Sequence, residues 1–190
     1  MVINNFFPTG VLFDMVSESL AAKIEDLILP RLPQLSLDVS NENYNDFHNP
    51  ERIISLEELS PLVDEVYKCQ EYYCKISNFT PGKITGYWVQ DYRKNDYHTR
   101  HNHGSCSLSV VYWVRNKGGG PLSIYNPNPH ISIQHQTEDG PYSNVSINIP
   151  PIKGGIVMFP SYLDHMVSPS LEECIRTTIA FNLDNKTYNK

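Results

Sequence analysis

No stretch of this 190-residue chain approaches the ~20 consecutive apolar residues that a membrane-spanning helix needs. The first segment, Met1 to Val16, puts no basic residue ahead of its short apolar run, so no secretory signal is expected. Positive charge is not in excess either: 15 Lys and Arg stand against 21 Asp and Glu, a net charge of −6. A nucleic-acid grip needs a basic face, which makes that class of partner unexpected. Cysteine is scarce. Cys69, Cys74, Cys106 and Cys174 form no C-x-x-C pair, and the spacing of the first two has no second pair to match it in a metal knuckle. Reduced thiols in a cytoplasmic protein are the simplest reading. Internal repeats, low-complexity segments and an interdomain linker are missing as well.

What is present is a chain of ordinary globular composition, 40% hydrophobic and 19% charged, long enough for one domain with a real core. Residues 17–29 place Leu20, Ala21, Ile24, Leu27 and Ile28 at helical spacing, and Pro30 and Pro33 end the pattern. Residues 34–54, rich in Asn, Asp and Ser, read as an irregular connection. A second helix is expected from Ser55 to Tyr73, with Leu62, Val63, Val66 and Tyr67 on successive turns.

After Pro81-Gly82 the pattern changes to short strands. They are expected over 83–92, 107–114, 122–125, 131–135, 145–149, 155–159, 165–168 and 174–183. Turns such as Gly118-Gly119-Gly120-Pro121 separate them. Eight short strands after two helices predict a mainly β fold with N-terminal helices, a double-sheet jelly roll with the helices on one outer face. The expected organisation is a single domain, 1–190, with a helical support region over 1–80 and a β core over 81–190.

The chemistry-bearing residues lie in that β region. His101 and His103 are one residue apart, and on a strand such residues point to the same face. They precede the apolar strand Leu108–Trp113, so they sit at a strand end, where a barrel mouth would be. His165 follows another apolar strand and a turn, and could complete one face of a coordination shell. Three imidazoles without a thiolate suit Zn, Fe, Cu or Ni, and leave positions open for further ligands. Arg176 shares one strand face with Thr178, Ala180 and Asn182, while Thr177, Ile179 and Phe181 share the other. A guanidinium with a hydroxyl two residues on can hold a carboxylate. The bland reading of Arg176 pairs it with Glu172 or Glu173 on the surface. His98 has no clear same-face relation to the pair; it lines a mouth or is solvated. Tyr97, Tyr112, Trp113 and Tyr162 are candidate substrate contacts that core packing explains equally well.

A histidine pair before a strand, a distal histidine, and an R-x-T pair soon after it resemble the iron(II)- and 2-oxoglutarate-dependent oxygenases. The stretches Trp88–Trp113 and Pro151–Asn182 carry the likeness, which is nearest to oxygenases of phages and marine bacteria. The resemblance implies a double-stranded β-helix (jelly roll, cupin-like) and an enzyme, a dioxygenase that hydroxylates a C–H bond of a peptide side chain or small molecule. It implies Fe(II), 2-oxoglutarate as co-substrate and O2. His101 and His165 would be iron ligands, and Arg176 with Thr178 would hold the far carboxylate of 2-oxoglutarate. Tyr92 matches the place of a co-substrate-binding tyrosine. His103 departs from the pattern, because the superfamily usually has a carboxylate there. Either His103 is the third ligand, or it stands behind the ligand shell and water completes it. Two other readings fit: a cupin-like three-histidine metalloenzyme that does not use 2-oxoglutarate, though Ser107 stands where its usual glutamate would be, or a non-enzymatic jelly-roll module of a phage.

Overall fold

The computed structural model describes residues 9–33, 44–47, 52–128, 144–169 and 174–185. The strand expected over 131–135 and most of the 34–54 connection lie outside the described residues. Helix α1 spans Glu18–Ile28 and buries Ala21, Ile24 and Ile28 on one side. The Ser17 hydroxyl accepts the Leu20 N–H at its start, satisfying one of the free donors of the first turn.

Helix α2 spans Ser60–Ser77, later at both ends than the expected 55–73. At its start, the Glu58 carboxylate accepts from the Ser55 N–H and hydroxyl, which ties residues 55–58 into a turn. Pro61 then suits the first helical turn, where no N–H is needed. At its end, Cys74 continues the buried face past Tyr73, and Asn78 closes the helix in the left-handed region at φ 58°. Among the described residues no helix is long and apolar enough to cross a membrane.

Ten strands follow the chain as β1 Leu12–Met15, β2 Tyr44–Asn45, β3 Lys83–Tyr92, β4 His98–His101 and β5 Leu108–Lys117. Then come β6 Leu122–Tyr125, β7 Ser146–Ile149, β8 Gly155–Pro160, β9 His165–Val167 and β10 Ile175–Asp184. They build a six-stranded sheet in the order β1-β8-β5-β10-β3-β2 and a four-stranded sheet in the order β4-β9-β6-β7. Every pairing is antiparallel. This is the two-sheet architecture expected. Three strands were not foreseen. β1 and β2 are short, and β4 reads His-Thr-Arg-His, with no apolar alternation to announce it; its pairing with β9 makes it a strand.

The helices pack on the outer face of the large sheet, where Ile24, Ile28, Leu62 and Val66 meet a layer that includes Val89, Val110, Ile179 and Phe181. A smaller apolar cluster, Trp113, Leu122, Ile124, Val157, Phe159 and Leu163, lies between the sheets. A bulge opposite Thr177 and Thr178 lets Val114 occupy an extra place in β5. Past it, Arg115 shares a face with Asp91 and Thr177 instead of following Trp113 inward. All four cysteines are free thiols, and Cys69 and Cys74 belong to the helix-side core. Burial, with Asp14 nearby, pushes the Cys69 thiol up to about 11, so it is inert at neutral pH.

Candidate metal centre

The register of β4 on β9 sets His101 directly opposite His165, with ring centroids 4.2 Å apart. His103 reaches the same point by a different route from the one its spacing suggested. The strand ends at His101, and the chain turns; the His103 N–H donates to the Ser161 carbonyl at 2.8 Å, and its own carbonyl accepts from Cys106 N–H at 2.9 Å. That turn brings the His103 ring to 5.2 Å from His101 and 5.1 Å from His165. One ligand atom from each of the three lies within 4.8 Å of the others, the one such group of three among the described residues.

Two of the rings are oriented by the same local device. His101 Nδ1 lies 2.7 Å from the Thr99 carbonyl, and His165 Nδ1 lies 2.9 Å from the Leu163 carbonyl, each two residues back along its own chain. A carbonyl only accepts, so each Nδ1 carries the hydrogen and each Nε2 keeps its lone pair. His103 Nδ1 turns instead to a side chain, Asn182 Oδ1, at 2.6 Å. Burial pushes the His165 imidazole down to about 3, with repulsion from the neighbouring imidazoles adding to it. Burial also lowers His103. Both shifts favour the neutral imidazole at His165 and His103, the state that binds metal. This donor set fits a borderline divalent ion and brings no negative charge of its own. His98, pushed down to about 4 by burial, stacks on His101 at 4.2 Å and lines the same cleft without joining the group of three.

The cleft continues along β10. Arg176, Thr178 and Ala180 line it together with the histidines, whereas Ile179 and Phe181 belong to the helix-side core, as alternation requires. Arg176 is only 2% exposed. Its Nη1 donates to the Gly120 carbonyl, and its guanidinium carbon lies 3.9 Å from the ring centre of Tyr92, its register partner on β3. Its Nε has no partner, and among the described residues no carboxylate pairs with it. Glu172 and Glu173, its surface alternatives, lie outside those residues. Burial lowers the Arg176 pKa and pushes the Tyr92 hydroxyl up to about 12. A Cβ on Gly119 would come within 3.0 Å of the Arg176 Cβ and Cδ, so only glycine lets the 118–120 turn press on this side chain. A buried cation with an unmet donor, facing a cleft, suits an anionic ligand.

Of the candidate aromatics, Trp113 lines the cleft, Tyr112 is part of the helix-side core, and Tyr97 and Tyr162 are exposed. Trp88 and Gln90 also line the cleft and were missed. They share the face of Tyr92 at period 2 on β3, which is the signal that could have found them.

Residues 86–182, just over half of the chain, match the family model described as "Putative 2OG-Fe(II) oxygenase". No curated protein matches the sequence. Among solved structures, the fold is similar to a prolyl hydroxylase from Trichoplax adhaerens in complex with a hypoxia inducible factor peptide fragment. That likeness has 18% identity, a TM-score of 0.60, and covers 93% of this chain and 83% of the other. A Pseudomonas putida prolyl-4-hydroxylase is similar at 11% identity and TM-score 0.61, covering 93% and 94%. HygX from Streptomyces hygroscopicus, solved with nickel and 2-oxoglutarate bound, is similar at 11% identity and TM-score 0.61, covering 95% and 84%. Identities this low speak to the fold alone: the double-stranded β-helix. The match across 86–182, which runs from within β3 almost to the end of β10, goes further: this protein belongs to the 2OG-Fe(II) oxygenase family, enzymes that use ferrous iron and 2-oxoglutarate.

Proposed function

We propose that the protein is a hydroxylase in which His101, His103 and His165 hold Fe(II), and Arg176, Thr178 and Tyr92 hold the far carboxylate of 2-oxoglutarate. The observation that carries this reading is Arg176, a buried guanidinium with a free Nε, in the same cleft as three converging imidazoles. When bound, iron and 2-oxoglutarate supply the oxidising chemistry, consuming O2 and releasing succinate and CO2.

The protein's own part is geometric and electrostatic. The carbonyls of Thr99 and Leu163 aim two imidazoles, and the Arg176 fork, pressed between the Gly118–Gly120 turn and the Tyr92 ring, fixes the co-substrate at its far end. Three neutral ligands leave the ferrous centre one positive charge richer than a site with a carboxylate, which favours a dianionic co-substrate. Trp88, Phe159 and Trp113 line the cleft with apolar surface that excludes water around the reacting bond. The proposed substrate is a peptide side chain or a small molecule, reached in the cytoplasm, with exposed Tyr97 and Tyr162 flanking the histidine strands as contacts. The fold shared with prolyl hydroxylases supports the peptide option.

The test is anaerobic addition of Fe(II) and 2-oxoglutarate, expected to give a weak visible charge-transfer band, followed by succinate formation in air. Absence of both, over a broad substrate panel, sinks the reading. The all-histidine donor set favours one second reading, a three-histidine metalloenzyme that ignores 2-oxoglutarate. Activity that survives Arg176→Ala and needs no 2-oxoglutarate would select it.

A further inference from the structure

His101 and His165 are aimed by backbone carbonyls, which no substitution of those residues' neighbours can easily remove. His103 has no such carbonyl on its Nδ1. Its contacts there are Asn182 Oδ1 at 2.6 Å and Ser109 Oγ at 3.2 Å. Asn182 and Ser109 are register partners on β10 and β5, so the sheet itself sets them side by side beneath the ring. Ser109 is held in turn by Ser161 Oγ at 2.9 Å, and the Ser161 carbonyl accepts the His103 N–H at 2.8 Å. Ser109 and Ser161 are both buried. Unpaired polar groups are costly where these serines lie, and the network closes around one half-buried imidazole.

We infer that Asn182 is the positioning residue that lets His103 stand where the family's usual carboxylate ligand would be. The inference rests on the metal reading of the three histidines. An imidazole, unlike a carboxylate, has two nitrogens and must be told which one to protonate. If Asn182 presents its carbonyl oxygen, the ring is Nδ1–H and its Nε2 lone pair is free for metal. If the amide presented its NH2 group, the ring would have to carry its hydrogen on Nε2 and could not ligate through it. The amide orientation and the ligand role are one choice. Because Asn182 is uncharged, it fixes the tautomer without adding negative charge to a centre that has no anionic ligand.

The test uses the full chain and two probes. In the metal-free protein, long-range 1H–15N correlation should show His103 as the Nδ1–H tautomer; the Nε2–H form would overturn the inference without any variant being made. Co(II) titration then compares wild type, Asn182→Leu and Asn182→Asp. Leucine removes the acceptor at similar volume and should weaken Co(II) binding about 10–100-fold, with a changed visible spectrum. Aspartate restores an acceptor to the same N–H and should recover most of the affinity, which a merely structural role for Asn182 would not produce. Equal affinity and an unchanged spectrum for Asn182→Leu would overturn the inference while the metal centre stands. Failure of the wild type itself to bind Co(II) would overturn the metal reading and this inference together.

Discussion

Strand β10 has two faces that share nothing but a backbone. Toward the helices it presents Thr177, Ile179, Phe181 and Leu183, the last three in the main apolar core. Toward the small sheet it presents Arg176, Thr178 and Ala180 to the cleft, and Asn182 to His103. The helix-side cluster is far larger than the one between the sheets. The space between the sheets, which would be the main core of an ordinary sandwich, is given over in part to histidines and an arginine. Stability has moved outward, onto a layer covered by α1, α2 and the segment that holds Ile54 and Leu59. The apolar cover on the outer face compensates for a polar interior, and alternation along single strands keeps the two tasks apart.

The largest effect expected from breaking that division is at the metal. His165→Ala should abolish Co(II) or Fe(II) binding, by more than the roughly 10–100-fold typical of losing an outer partner, while the metal-free protein stays folded by circular dichroism. Metal retained at full stoichiometry would remove His165 from the site. On the other face, Phe181→Ala empties a fully buried position and should cost about 3–5 kcal/mol in urea unfolding. Metal affinity of the protein that remains folded should change little. A metal affinity that fell in step with stability would show that the two faces are coupled after all. Arg176→Lys keeps the charge and loses the planar fork. With two charge-assisted bonds at stake, about 3 kcal/mol, 2-oxoglutarate binding should weaken roughly 100-fold and metal binding should not move.

The division between faces is legible in the sequence, because period 2 in Arg176–Asn182 is a local property and the sheet obeys it. The bounds of β3 and β6 were legible for the same reason. Strand β4 was not, since His-Thr-Arg-His owes its extended shape to a partner sixty-odd residues away, His165 and its neighbours. For that reason the histidine pair was placed on one strand face, when His103 in fact lies in the following turn, held by Ser161. The convergence was right and its route was not. The role of Asn182 was hidden too: its place on the cleft face could be read, but its contact with a ring from another sheet needed the register of β10 on β5. Tyr112 and Trp113 teach the converse. Adjacent aromatics on one strand must part company, and only the sheet order says which one meets the cleft.

The finest test of the division uses two neighbouring threonines. The Thr177 hydroxyl donates to Asp91 Oδ1 at 2.5 Å and accepts from Arg115 Nε at 2.8 Å, on the helix side. Thr178, one residue on, lines the cleft. Valine is close to threonine in shape, so each change removes a hydroxyl and little else. Thr177→Val strips a partner from a fully buried carboxylate, which still keeps Arg93 at 2.6 Å. It should cost about 1–3 kcal/mol of stability and leave 2-oxoglutarate binding alone. Thr178→Val should do the reverse: stability near wild type, and co-substrate binding weaker by about 1.5 kcal/mol, roughly tenfold. Calorimetric titration and urea melts on the same two variants read both quantities. If Thr178→Val destabilises the fold while leaving 2-oxoglutarate untouched, its hydroxyl serves the core, and the cleft face of β10 holds the co-substrate through Arg176 without it.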